Sequence, residues 1–219
     1  DERLLDVSLT GIMDSKLTNN PEKGFLSSLK NVAIDTNKEF AKRLKINQSA
    51  AITCVKPSGT VSQLVDSASG IHTRHNPYYI RTVRCDKKDP LTQLMIDQGV
   101  PNEPDITKPD SVMVFSFPTA SPSGSVTRND MSAIQQLELW LQYQREWCEH
   151  KPSVTVSVRE DEWMEVGAWV YKYFDEVSGI SFLPYTDHIY KQAPYQDIER
   201  KEYLELKKNM PTTIDFSQL

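Results

Sequence analysis

Apolar residues along this chain recur with two spacings, and segments of the two kinds alternate from end to end. Residues 7–12 form a short, nearly continuous apolar run that predicts a strand. After the turn-forming Asn19-Asn20-Pro21, a helix is predicted with the apolar stripe Phe25, Leu29, Val32, Thr36, Phe40 and Leu44. Residues 50–55 predict a second strand. Beyond Lys56-Pro57-Ser58-Gly59, the spacing of Val61, Leu64, Val65 and Ala68 predicts a short helix that stops at Gly70. Further strands are predicted over 78–83, 111–117, 153–158 and 180–183. Helices are predicted over 90–98, from 127 to about 150, over about 161–174 and over 196–208. The helix from 127 opens on Thr127-Arg128-Asn129-Asp130, which has the form of a capping box, and places Ile134, Leu137, Leu141 and Cys148 on one side. The next carries Trp163, Val166, Trp169, Val170, Tyr171 and Phe174, apolar nearly all round, so cover on more than one face is expected.

Strands alternating with helices predict an α/β fold with a largely parallel sheet or barrel. No linker or internal repeat interrupts the pattern, so residues 1–219 are read as one unit. Composition narrows the function classes without choosing one. Hydrophobic residues make up 38% and charged residues 25%, with a net charge of −5, which excludes a disordered chain and gives no polyanion-binding surface. Gly is scarce at 8, so a glycine-rich cofactor loop has little material. Cys54, Cys85 and Cys148 are too few for a disulfide framework, and no apolar run is long enough to span a membrane. A cytoplasmic protein is expected, with no membrane and no nucleic-acid polymer as partner.

The most informative local feature is Cys54-Val55-Lys56-Pro57-Ser58-Gly59-Thr60-Val61. A strand ends in a turn of small residues that opens a helix, aiming backbone N–H groups outward. Pro57 fixes the turn, Gly59 allows close approach, and Ser58 and Thr60 offer hydroxyls. The residues alone are compatible with a structural N-cap or with an anion site for a phosphate group. No Walker A pattern is present.

Other constellations have ordinary readings. His72 and His75 lack the ligands that would complete a metal set and read as hydrogen-bonded loop residues. Asp187-His188 lacks the D-x-H-x-x-G pattern of a cobalt-ligating histidine. The cysteines lie in apolar settings or, for Cys85, beside Asp86, and none reads as an activated nucleophile. Tyr78-Tyr79 beside Arg81 and Arg84 reads as strand packing, and Glu160-Asp161-Glu162 as a solvated helix start.

Lys56-Pro57-Ser58-Gly59-Thr60-Val61-Ser62, Ser69-Gly70-Ile71-His72 and Tyr78-Tyr79-Ile80-Arg81-Thr82-Val83-Arg84 together resemble the class II ribonucleotide reductases. The resemblance continues through Ser8-Leu9-Thr10-Gly11-Ile12, residues 153–158, 162–170 and 178–185, and Gln192-Ala193-Pro194-Tyr195, and is strongest to the monomeric, triphosphate-reducing branch. It implies a ten-stranded β/α barrel that reduces ribonucleoside triphosphates by thiyl-radical chemistry with adenosylcobalamin, this chain resembling the barrel's C-terminal portion. It also implies that Pro57, Ser58, Gly59 and Thr60 bind substrate phosphates and that a thioredoxin-type reductant serves the complete enzyme.

The family's radical cysteine lies in an N-x-C-x-E pattern, which surrounds none of the three cysteines here, and the family's tail cysteine pair has no counterpart after Cys148. The resemblance therefore predicts a segment that needs the N-terminal part of the reductase carrying the radical cysteine, is inactive alone, and self-associates or stays bound to its complement. The strand-like start without an initiator Met fits that expectation. The alternative is a non-catalytic nucleotide-binding or assembly module derived from the barrel half.

Overall fold

Strand pairing separates two compact units, one drawn from residues 1–74 and 123–185, the other from 75–122 and 186–219. The computed structural model describes residues 2–185 and 190–219. In chain order the elements are β1 (Val7–Ser8), α1 (Lys16–Asn19), α2 (Phe25–Leu44), β2 (Thr53–Cys54), α3 (Val61–Leu64), β3 (Tyr78–Asp86), α4 (Pro90–Asp97), β4 (Asn102–Pro104) and β5 (Val112–Ala120). They continue with α5 (Ala133–Glu146), β6 (Val154–Val158), α6 (Trp163–Lys172), β7 (Ile180–Pro184), β8 (Tyr195–Asp197) and α7 (Arg200–Lys208).

The first unit has the parallel pairing that the alternation predicts. β1 pairs with β2, and β6 with β7, both in parallel. The chain leading into β6 also lies against β2: Thr53 O accepts from Glu149 N at 2.8 Å, and Val55 O accepts from Ser153 N at 3.1 Å. Along β6, Val154, Val156 and Val158 are buried while Thr155 and Ser157 are half-buried, the alternation expected of a strand with one face on the core. The core joins these valines to Ile12, Met13, Leu26, Val55 and Ile71, and to Leu137, Trp140 and Leu141 of α5. Each fully buried side chain of this kind contributes about 1.5–3 kcal/mol. The three indoles inside it satisfy their N–H groups, Trp140 on Pro152 O at 3.0 Å, Trp147 on Cys54 O at 2.7 Å and Trp169 on Glu138 Oε1 at 2.6 Å.

Three expectations shift in this unit. α5 begins later than predicted, because Ser132 and Gln135 form the capping box that starts it. Thr127 and Asp130 do make cap-like bonds, Thr127 N donating to Asp130 Oδ2 at 2.9 Å, but they close a separate turn. On α2 Leu26 and Ala41 are buried and Phe25 and Leu29 of the predicted stripe pack partly against the core, whereas Val32, Phe40 and Leu44 point to solvent. On α6 only Val166 and Trp169 are buried; Met164 (87%) and Tyr171 (86%) are almost fully exposed.

The second unit departs from the largely parallel reading. β4, β5, β3 and β8 form a four-stranded sheet in that order, every pair antiparallel. The long β3–β5 ladder runs from Tyr78 opposite Ala120 to Asp86 opposite Val112. Val100, Met113 and Phe115 form its small core. The predicted helix over 196–208 gives up its first residues to β8, since Tyr195–Asp197 pairs with β3.

A buried cation braces the loops of the first unit. Arg74 is 5% exposed. Its Nε and Nη2 donate to the two oxygens of Asp14 at 3.0 and 2.8 Å, and Nη1 and Nη2 reach Asp66 Oδ1 and O at 3.1 and 2.7 Å. Asp14 Oδ2 also accepts from Ala68 N at 2.6 Å. Burial alone would raise the Asp14 carboxyl, but the bonds from Arg74 and Ala68 and the guanidinium charge outweigh it and hold it below its ordinary value. Arg74→Met leaves that carboxylate in place without its fork of donors, and a loss of about 3–5 kcal/mol is expected in urea unfolding at neutral pH.

Candidate functional site

The parallel register fixes what meets at the strand ends. With Val7 opposite Thr53 and Ser8 opposite Cys54, β1 and β2 leave their pair on the same side, so the chain after β1 lies beside the loop after β2. That loop contains all four predicted phosphate-binding residues. Pro57, Gly59 and Thr60 are exposed and Ser58 is half-buried. The loop is anchored from beneath. Lys56 N donates to Ser8 Oγ at 2.9 Å, Gly70 N donates to Ser58 Oγ at 2.9 Å, and Ser58 O accepts from Ser62 N at 2.8 Å.

The side-chain N-cap reading does not describe what these hydroxyls do. Thr60 sits at the N-cap of α3 in a helical conformation, and its side chain makes no cap bond. α3 is a single turn of 4 residues, so its dipole adds little to anion attraction. A Cβ built on Gly59 meets nothing within 4 Å, which leaves the approach to the loop open. Lys56 pairs with Asp6 at 3.2 Å as a solvent-exposed ion pair.

Sequence reasoning missed three residues behind the loop. Thr10 Oγ1 lies 2.6 Å from Ser58 Oγ and accepts from Gly70 N at 2.9 Å. Gly70 has φ +54°, and a Cβ there would lie 2.8 Å from Lys56 O. Arg74 holds Asp66 directly, and Ala68 through Asp14, on the return from α3. The available signal was the Thr10-Gly11 turn directly after a strand, but only the fold brings it to Ser58.

The other candidates keep the ordinary readings. His72 Nε2 accepts from Thr155 N at 2.9 Å, which leaves Nδ1 to donate to Ser69 O at 2.8 Å, so the ring is neutral. Burial pushes its pKa below the usual histidine value. His75 Nε2 is 2.7 Å from Asp197 Oδ1 and stacks on Tyr195. His150 Nε2 lies 2.9 Å from Leu5 O. His188, with Asp187, lies outside the described residues. Among the described residues no group of three or more His, Cys, Asp or Glu is placed to hold a metal ion.

Burial raises the thiol pKa of Cys54 and Cys85 and pushes that of Cys148 up to about 12, so none is an activated thiolate. Tyr79 is buried, and Arg84 Nε pairs with Asp105 Oδ2 at 2.8 Å, as strand packing requires. Glu162 is more than a solvated helix start. Its two oxygens accept from Ala133 N at 2.9 Å and Arg159 N at 2.8 Å, tying the start of α5 to the turn before α6. No described helix is long and apolar enough to cross a membrane.

Comparison with known proteins gives a consistent set of relatives. No family model matches the chain. It is 31% identical over 181 residues to the adenosylcobalamin-dependent ribonucleoside-triphosphate reductase of Euglena gracilis, covering 82% of this chain and 25% of that protein. The corresponding enzyme of Lacticaseibacillus paracasei is 30% identical over 200 residues, covering 89% of this chain and 26% of its own length. A probable enzyme of the same name from Dictyostelium discoideum is 30% identical over 191 residues, or 84% of this chain and 25% of its own. The chain thus spans about a quarter of the length of the curated relatives it matches. A crystal structure of a B12-dependent, class II ribonucleotide reductase superposes with a TM-score of 0.80 at 23% identity, over 94% of this chain and 33% of that one, which establishes the shared fold.

The wiring of His72 has a measurable consequence. Its folded pKa lies below the unfolded value of about 6.5, so on acidification the unfolded chain takes up a proton that the folded chain refuses. The stability contributed by the neutral ring is complete above about pH 6.5 and is lost as the pH falls toward the lowered folded value. Thermal midpoints measured between pH 7.5 and 5 should drop more steeply for the wild type than for His72→Gln, whose amide bonds similarly without titrating.

Proposed function

The chain belongs to the class II, adenosylcobalamin-dependent ribonucleotide reductases, and from that premise we propose that it forms the C-terminal portion of the catalytic barrel and supplies the loop that binds the phosphates of a ribonucleoside triphosphate. What carries the proposal is the agreement of two independent facts. The chain matches these reductases in sequence and fold, and its 57–60 loop lies exposed where two parallel strands end, the place at which α/β sheets bind ligands.

In this reading Gly59 lets an oxyanion approach the backbone closely, and Thr60 offers a hydroxyl from the rim. Ser58 contributes from the floor of the loop. Holding the triphosphate fixes the ribose for chemistry at groups that lie elsewhere, which is the usual catalytic value of a positioning site. The reacting cysteine comes from another part of the enzyme, because none of the three cysteines here has the family's surrounding pattern. Partners of the segment are then the N-terminal part of the reductase and, for the complete enzyme, a thioredoxin-type reductant.

Adenosylcobalamin is the cofactor of this family, and no described histidine is placed as a ligand to its cobalt. Both ring nitrogens of His72 are engaged, His75 faces Asp197, and His150 faces Leu5 O and Asp6. No cobalt ligand or corrin contact is therefore assigned, and no step is derived through the cofactor.

Two measurements test the proposal. Gly59→Asp places a carboxylate where phosphate is to lie and should weaken triphosphate binding at least about tenfold, roughly 1.4 kcal/mol. Gly59→Ala, which has room for its methyl group, should bind within about threefold of wild type. Equal affinity of all three would remove the loop from the site. Cobalamin-dependent reduction should be absent with the 219 residues alone and restored when the remaining part of the reductase is added; turnover by the 219 residues alone would overturn the segment reading.

A further inference from the structure

Thr10 and Ser58 share a hydrogen bond that either hydroxyl can donate. Thr10 Oγ1 is 2.6 Å from Ser58 Oγ and 3.2 Å from Ala68 O, and Gly70 N–H is split between the two hydroxyl oxygens at 2.9 Å each. Each hydroxyl has one proton, which leaves two arrangements. In the first, Thr10 donates to Ala68 O and Ser58 donates to Thr10, so the Ser58 proton is turned inward. In the second, Thr10 donates to Ser58 Oγ, and the Ser58 proton is released to point out of the loop. Ala68 O does not depend on Thr10, since Gly11 N already donates to it at 2.8 Å. Moving between the arrangements therefore needs only two hydroxyl rotations and strands no buried acceptor.

We propose that Thr10 is a positioning residue for the phosphate loop: it takes over the hydrogen bond to Ser58 when an anion arrives, so that the Ser58 hydroxyl donates to a substrate phosphate. The proposal rests on the phosphate-binding reading of the 57–60 loop and names the residue that makes Ser58 competent within it. An empty loop keeps the first arrangement, in which every proton has an acceptor inside the protein. An incoming phosphate oxygen favours the second, because a hydroxyl-to-phosphate bond is charge-assisted and stronger than the weak 3.2 Å bond that is given up. Gly70 completes the device. Its single N–H bridges both oxygens in either arrangement, and its left-handed conformation, with no space for a Cβ against Lys56 O, holds that N–H in position.

The test is equilibrium binding of ATP, with adenosine as a phosphate-free control, to the full chain and to variants at both positions. Thr10→Ser keeps the hydroxyl and should bind ATP like wild type. Thr10→Val removes the donor and should weaken ATP about tenfold while leaving adenosine within about twofold. In a Ser58→Ala background, Thr10→Val should add almost nothing, because Thr10 acts only through Ser58; this non-additivity is a signature that general loosening of the loop would not produce. Equal loss on Thr10→Val in both backgrounds, or failure of Thr10→Ser to restore affinity, overturns the role of Thr10 while leaving the loop as the phosphate site. If ATP binds no better than adenosine to the wild type, both readings fall together.

Discussion

The strand-end loops of the first unit depend on one buried ion pair. Three turns converge there: the turn after β1, the return from α3, and the chain that carries Gly70. None has enough regular structure to hold itself, for β1 and β2 are two residues each and α3 is a single turn. Arg74 serves as their common fastening. Its planar fork takes both oxygens of Asp14 and reaches Asp66, while Asp14 in turn holds the Ala68 N–H. A lysine has no such fork and would satisfy fewer of these acceptors, so the geometry depends on arginine specifically. Because the Arg74–Asp14 pair is ionic, buried and multiply bonded, it is costly to break by halves.

That brace explains why the candidate site was only partly legible in the sequence. The strand–turn–helix pattern around Pro57, Ser58, Gly59 and Thr60 is local, so a single pass along the chain finds it. Thr10, Asp14 and Arg74 lie 48, 54 and 60 residues from the partners that give them meaning, Ser58, Ala68 and Asp14 respectively. Their own surroundings do not say what they meet, since a threonine before a glycine after a strand and an arginine between histidines are ordinary. His72 is the reverse case. Its bland reading from sequence is what the structure bears out, but its acceptor bond from Thr155 depends on a strand 83 residues away.

The fold shows the same division between what is local and what is not. β6, with valine at alternate positions, and α4, with Asp89 at its cap and Pro90 in its first turn, carry their signals within themselves and lie close to where the pattern put them. The burial of amphipathic faces was less legible. A helical stripe states which residues lie on one face, while the partner across from it decides whether that face is covered. α2 buries Leu26 and Ala41, packs Phe25 and Leu29 partly on the core and bonds Asn37 to Ser49, while Val32, Phe40 and Leu44 remain outside. α6 keeps Met164 and Tyr171 exposed, as is Phe174 just beyond it, with no cover from the described residues of its own unit. In the second unit the missed feature was direction: Val- and Phe-rich runs read equally well as parallel or antiparallel strands until their pairing is known.

The scarcity of glycine acquires a physical meaning in this arrangement. A phosphate loop rich in glycine uses it for two separate purposes, unusual backbone angles and close approach of the ligand. On the phosphate-binding reading proposed for the 57–60 loop, the purposes are divided between two positions. Gly59, at the loop, has open space around its missing Cβ and serves approach alone. Gly70, outside the loop, carries the left-handed angle and the tight contact with Lys56 O, and from there presents its N–H to Ser58 and Thr10. Conformational strain is thereby kept off the loop and placed beside the Arg74 brace, where the surrounding bonds hold it. The loop itself is then free to be built from proline, serine and threonine, residues that stiffen it and give it hydroxyls, which additional glycines could not do.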